Sequence, residues 1–383
     1  MIYFHSVSAQ RLPYTFDHLK VSDNSIENII KCMLKDRNGY LWLGTASGLK
    51  RYDSGFTTTF KHNSKDDNSL VHNSIESLCE DKQGRIWVGT TEGICFFDKK
   101  KNAFFTFKEL NKTDYACLNI ICDSRGNIWF SIRDKGLYKF DTKTNKLYNF
   151  SIESSQTKKL SSNRVFRKGL VEDPNKNGLW ISCNEALNFL DYSSQKIYNK
   201  SFNPKKADVF NLTNISALTT NENNLVFTDN HNQEIVWYNT RLQKNVRTFG
   251  LNPNPNISFS GVYQLFFDSN SNIWVSSYNK KMAYIDLKKQ QLIPIEYEKG
   301  NSISFSAYNF IDIFQEKNGT IWFGTQNGIN TINGLATQNP NEQLFEVYDF
   351  SKELFRNKPN DFFRDFRVDE KTAAGGCLQM KTV

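Results

Sequence analysis

The chain has 383 residues, a formal net charge of +8 and 14% aromatic residues. Its apolar residues are spread evenly, which excludes a disordered chain, and no apolar run approaches the ~20 residues of a membrane-crossing helix. The positive charge lies on scattered lysines with no Lys/Arg block, a pattern of solvated surface rather than of nucleic-acid binding.

The first residues, Met1 to Gln10, are similar to the last part of a signal peptide. Val7 and Ala9 stand where a small-residue cleavage site has its −3 and −1 positions. Residues 1–13 are therefore expected to be a remnant of a signal peptide and leader, which implies a periplasmic location. Tyr14 to Leu19 reads as a strand without hairpin partners. It is expected to close a ring by pairing with Ile329 to Asn333, a slot for which Leu344 to Phe350 competes.

From Val21 to Phe350 one unit recurs. Asp81-Lys82-Gln83-Gly84-Arg85-Ile86-Trp87-Val88-Gly89-Thr90 is its fullest copy. Others run from Asp36 to Thr45, Asp123 to Ser131, Asp173 to Ser182, Asp268 to Ser276 and Glu316 to Thr325, with a worn copy at Asn223 to Thr228. The anchors Trp42, Trp87, Trp129, Trp180, Val226, Trp274 and Trp322 are 45, 42, 51, 46, 48 and 48 residues apart. A period in the forties with alternation near two predicts blades of four short strands, not helical repeats. The fold expected is all-β, a seven-bladed β-propeller of four-stranded antiparallel blades.

Each unit parses in chain order. Strand A is the apolar run before the acid, as in Ile75 to Glu80. An Asp-x-x-Gly turn follows, in which the acid accepts backbone N–H bonds and the glycine takes positive φ. Strand B holds the tryptophan, expected in the core between neighbouring blades. Strand C ends in an acid or amide, as in Ile94 to Asp98, and strand D follows, as in Phe104 to Phe107. Beyond the last unit, residues 351–383 read as the truncated start of a following unit. From Lys371 the pattern is lost, and a disordered tail is expected.

Seven cysteines, with no C-x-x-C, suit small apolar strand positions, and an odd number argues against a complete disulfide framework. The five histidines, His5, His18, His62, His72 and His231, form no H-x-H or H-x-x-x-H pair. No metal, no cofactor and no catalytic residue is expected from them.

The D–A connections and the B–C loops share one face of such a ring. They vary from blade to blade, so specificity is expected there. The B–C loops supply Arg133, Lys135, Glu185, His231, Tyr278, Lys280 and Gln326. The D–A connections supply Asn73, Asn163, Arg164, Asn214 and Tyr308. Amides, a tyrosine face and a few cations suit an oligosaccharide. Arg133, Arg164 and Lys280 suit an acidic one, through charge-assisted bonds.

The motif D-x-x-G-x-[IL]-W-[VF]-G-T, followed by x-x-G-[LI]-x-x-[YF]-[DN], resembles the two-component regulator propeller repeat. Asp36 to Asp53 and Asp81 to Asp98 match it almost throughout. The resemblance implies the periplasmic sensor region of a hybrid two-component histidine kinase from a glycan-degrading gut bacterium. It also implies a second propeller and a dimerising domain elsewhere in the full-length protein. This sequence carries no kinase phosphoacceptor motif, ATP-binding glycine motif or membrane span, so any signalling output is implied and not carried here. Streptogramin lyases repeat a related motif, but their chemistry needs a histidine base and a carboxylate-held metal. A sensor is therefore the leading expectation, a protein-interaction scaffold the second and a propeller lyase the third.

Overall fold

A computed structural model describes residues 17–19, 29–53, 56–184, 186–251, 259, 261–295, 297 and 305–332. The leader, the residues from 333 onward and Glu185 lie outside them. The described chain forms seven four-stranded antiparallel sheets, and its helical elements are three short 3-10 turns. The architecture is a seven-bladed β-propeller.

Blade 2 shows how the sequence builds the unit. Its strands are Ile75–Glu80, Ile86–Thr90, Gly93–Asp98 and Ala103–Thr106, paired in that order. Gly84 sits at a φ of 82°, and Gly39, Gly126 and Gly319 hold similar angles in their blades. Ser271 takes the same left-handed position at 64°, which costs a non-glycine residue more.

The acid that opens the turn does more than cap it. One Asp81 oxygen accepts the N–H groups of Gln83 and Arg85, and the other accepts Trp87 Nε1 at 2.8 Å. Asp36 holds Trp42 at 2.8 Å in the same way, as Asp123 holds Trp129 at 2.8 Å. Asp173 holds Trp180 at 3.0 Å and Asp268 holds Trp274 at 3.2 Å. Acid and tryptophan thus form one device. In these five blades the ring is buried between blades while its only polar atom finds a carboxyl acceptor.

Strand A of each blade lies beside strand A of the next, all the way round, so the A strands line the axis. The B strands are buried on both faces because a blade covers each side, as in Ile86–Thr90. The hydrophobic clusters each join two neighbouring blades. Trp42 packs with Ile75, Ile86 and Val88, and Trp274 packs with Phe310 and Phe323. In blade 5 Val226 replaces the tryptophan. Trp237, its partner on strand C, fills the same cluster with Val262 and Leu265 of blade 6.

The motif glycine marks a close approach between blades. A Cβ on Gly89 would lie 2.6 Å from the Cys117 carbonyl oxygen of blade 3 and 2.3 Å from Ser77 Oγ. Where serine stands instead, it bonds the facing carbonyl: Ser276 Oγ donates to Phe310 O at 2.8 Å and Ser182 Oγ donates to Ile215 O.

The ring closes as the orphan strand suggested. Asp17–Leu19 pairs antiparallel with Gly328–Ile332, His18 opposite Asn330, and completes blade 7. Its neighbour strand, Ile321–Thr325, carries Trp322, which is only partly buried and whose Nε1 has no partner among the described residues. Glu316 replaces the aspartate there, and its carboxylate bonds Lys35 of blade 1 at 2.6 Å.

Candidate functional site

The loop face is stitched together by a recurring bond. The residue after strand B donates its N–H to the carbonyl just before strand A of the same blade. Thr91 bonds Ser74, Arg133 bonds Ala116, Asn184 bonds Arg164, Asn230 bonds Asn214 and Tyr278 bonds Gly261, at 2.9 to 3.2 Å. B–C loops and D–A connections therefore stand side by side on one face.

The predicted residues fall into separate groups on this face. Arg133 and Lys135 of blade 3 are exposed, and Lys135 lies over the Tyr115 ring at 5.5 Å. Asn163 meets that loop through its carbonyl, which accepts Gly136 N–H, and Arg164 is exposed beside it. Asn214 lines a cleft of about 460 Å³ with Asn184, Ser161, Lys200 and Thr213, and His231 is exposed in the same blade as Asn214. Tyr278, Lys280, Tyr308 and Gln326 lie around blades 6 and 7, all exposed.

Two predicted amides have internal work. Asn73 Oδ1 accepts His62 N–H at 2.7 Å, and Asn163 Oδ1 accepts Ile152 N–H at 2.9 Å. Each side chain ties the two ends of its own D–A connection together across 11 residues.

The densest group lies between blades 6 and 7. Lys280 Nζ sits over the Tyr308 ring at 5.7 Å, and Tyr308 meets Tyr297 edge-on at 4.8 Å. Tyr278 packs on Tyr263 with ring centroids 4.6 Å apart. Tyr278 is 67% exposed and Tyr308 is 58% exposed, while Tyr263 is buried beneath. Burial pushes the Tyr263 hydroxyl up to about 12, so it stays protonated. It donates to Phe310 O at 2.7 Å and accepts from Asn309 Nδ2 at 2.9 Å, which fixes the base on which Tyr278 rests.

Sequence reasoning missed the mouth of the central channel. Lys31, Glu76, Arg167, Lys168 and Asp312 come from strand A of blades 1, 2, 4 and 7 and meet there through ion pairs. The signal was present: Arg167-Lys168 interrupts an otherwise apolar strand A in the unit with the longest spacing.

The histidines are dispersed. His62 Nδ1 lies 2.6 Å from Leu70 O, and His72 Nδ1 accepts Ser74 N–H at 3.0 Å. Among the described residues no group of three His, Cys, Asp or Glu side chains is placed to hold a metal ion.

Comparison with known proteins agrees with the repeat. The family described as "Two component regulator propeller" matches residues 24–47 and 69–92. A curated protein named histidine kinase P4, from Formosa agariphila, is 23% identical over an alignment of 236 residues that covers 57% of this chain and 16% of that protein. The extracellular domain of a hybrid two-component system from B. thetaiotaomicron has a similar fold, with a TM-score of 0.66 and 18% identity. The match covers 84% of this chain and 42% of that one. A virginiamycin B lyase from Staphylococcus aureus is similar at a TM-score of 0.59 and 15% identity, over 84% of this chain and 99% of that one. The chain thus spans under half of the two-component structure and a sixth of the kinase. Repeat, matched segments and ring agree: two segments of this chain match the two-component regulator propeller family, within a seven-bladed β-propeller.

Proposed function

We propose that this propeller is the ligand-receiving part of a periplasmic sensor of the hybrid two-component kind. Its ligand is an oligosaccharide, acidic by preference, met on the loop face. The observation that carries this reading is the group between blades 6 and 7. Two exposed tyrosines and a lysine gather there, and Tyr278 rests on Tyr263, whose hydroxyl is bonded to Phe310 O and Asn309 Nδ2. A flat aromatic face stacks on the C–H side of a sugar ring, and an ammonium group beside it favours a carboxylate or sulfate. Arg133 and Arg164 extend the positive character around the face. The kinase output, a second propeller and a dimerising domain belong to the longer protein, so the propeller alone is a monomer without kinase activity.

Calorimetry against matched acidic and neutral oligosaccharides tests the reading. Tyr278→Ala and Tyr308→Ala should each weaken binding about tenfold, the scale of a lost aromatic contact. The triple variant Arg133→Ala, Arg164→Ala, Lys280→Ala should lose the preference for the acidic ligand. Unchanged binding in all of these variants overturns the site.

A protein-interaction scaffold is the second reading. It is favoured by exposed apolar side chains on outer strands and turns, Phe56 at 81% and Leu242 at 62%. Capture of a partner that Phe56→Ser and Leu242→Ser abolish, with no oligosaccharide bound, would favour it.

A further inference from the structure

Charged side chains of strand A gather at the loop-face mouth of the axis. In blades 1, 2, 3, 6 and 7, strand A carries a one-residue bulge near its start, at Lys31, Glu76, Leu118, Tyr263 and Ile311. Blade 4 departs from this. Its strand A, Val165–Glu172, sets the four residues Phe166 to Gly169 opposite the single Ser182. Lys168 accepts a φ of 55° there, a conformation unfavourable for a lysine. The wide bulge carries two cations across the ring.

Arg167 bonds the Glu76 carboxylate of blade 2, and its Nη1 donates to Glu76 O at 3.0 Å. Lys168 Nζ reaches Asp312 of blade 7 at 2.7 Å. Glu76 is shared, because Lys31 of blade 1 also bonds it at 2.5 Å. Burial works to raise the Glu76 carboxyl, but Arg167 and Lys31 outweigh it and hold it below the usual range. Blades 3, 5 and 6 bring Asn119, Ser216 and Gln264 to this level, none of them charged. Asn119 Nδ2 is spent on Phe166 O at 2.9 Å.

Two features are left over. Three partly exposed cations face two buried carboxylates, so among the described residues one positive charge lacks a carboxylate counterion. Gln264 is 6% exposed, and its Oε1 has no hydrogen-bond partner among the described residues. It stands at the register position that Asp312 holds in the next blade, directly after the bulge. A buried acceptor without a donor carries a free-energy cost until one arrives.

We propose that the loop-face mouth of the central channel is a binding site for one anionic group, a carboxylate or sulfate, borne by a hydroxylated ligand. The anion takes the fork of Arg167, Lys31 keeps Glu76, and a ligand hydroxyl donates to Gln264 Oε1. Glu76 is then an internal competitor that holds Arg167 in place when the site is empty. This deepens the sensor reading by naming an acidic sugar residue as the occupant, and rests on that reading only for the source of the anion.

The test uses the full chain as wild type, Glu76→Gln, Arg167→Gln and Gln264→Leu. The probes are inorganic sulfate, a galacturonic acid disaccharide and its neutral galactose counterpart. Affinity is read by calorimetry, and by the rise in Tm with sulfate at constant ionic strength. Arg167→Gln should weaken both anions about tenfold, and Glu76→Gln should tighten both by a similar factor. Gln264→Leu should weaken the disaccharide and leave sulfate unchanged. A bridge that only braces the ring would lower Tm in the Glu76 and Arg167 variants and leave anion affinity equal to wild type. That result overturns the proposal. Sulfate binding with the stated dependence, without disaccharide binding, keeps this site and removes the sugar as its occupant. Disaccharide binding indifferent to all three substitutions keeps the sensor reading and removes this site.

Discussion

Blades 2 and 7 carry nearly the same sentence and use it differently. In blade 2, Asp81 seats Trp87 by its Nε1, and the ring is fully buried. In blade 7 the acid is Glu316, one methylene longer. It reaches across the seam to Lys35 of blade 1 and leaves Trp322 Nε1 without a partner among the described residues. The motif is therefore two devices that usually coincide: a turn, kept in both blades by bonds such as Gly84 N–H to Asp81 O and Gly319 N–H to Glu316 O, and a lock on the tryptophan. The blade that closes the ring keeps the turn and gives up the lock for a contact with its new neighbour.

The widest test of that contrast is truncation of each ring. Trp87→Ala should cost about 3–5 kcal/mol in urea unfolding, as a large-to-small change in a packed core. Trp322→Ala should cost clearly less, about 1–2 kcal/mol, because the ring is only partly buried and its N–H has no partner among the described residues. Equal costs would break the comparison.

Next in size is Gly89→Ala. The new methyl group meets backbone of blade 3, which cannot yield, so a loss of about 2–3 kcal/mol is expected. Ser276→Ala at the matching position of blade 6 should lose only about 1 kcal/mol, the worth of its bond to Phe310 O. A neutral Gly89→Ala in thermal melts would show that the blades are less tightly apposed than their contacts imply.

Glu316→Asp sharpens the comparison from the other side. Shortening the side chain offers Trp322 Nε1 its acceptor and surrenders an ion pair to a lysine that is 39% exposed. Such a pair contributes little, so a net gain of about 0.5–1 kcal/mol is expected in the urea midpoint. A loss would mean that the seam matters more than the lock.

The smallest effect is in pH. Burial tends to raise the Asp36 carboxyl, but bonds from Lys99 and Trp42 prevail and hold it below its ordinary 3.8. A depressed carboxyl contributes stability that is complete above the unfolded pKa and is lost as pH falls through the folded one. Stability should therefore fall as pH drops below 3.8, and Asp36→Asn should flatten that fall in urea titrations at stepped pH. An identical acid slope in wild type and variant would remove Asp36 from the account.

The ring was legible because a repeat announces itself. Seven anchors at near-constant spacing specify blades, while the lone strand before the first unit offered a pairing with Ile329 to Asn333 for which Leu344 to Phe350 competed, and the structure pairs it with Gly328–Ile332. The loop face was legible from the direction of the strands. The lock was less so, since a six-residue gap from acid to tryptophan does not by itself reveal a bond across a hairpin. The grouping of site residues was hidden for a geometric reason. Lys280 and Tyr308 come together because ring closure fixes how neighbouring connections approach, and no local pattern encodes that. The meeting of Arg167 with Glu76, 91 residues earlier, was hidden in the same way.

The pairing of Asp17–Leu19 with Gly328–Ile332 also sets an order in time. The segment that leaves the ribosome early is completed by one that leaves some 300 residues later. Through that interval the growing arc exposes its unfinished edge, and no local contact shortens the wait. The closing step joins the two ends of the arc, so synthesis of residue 332 sets the earliest moment at which this ring is shut.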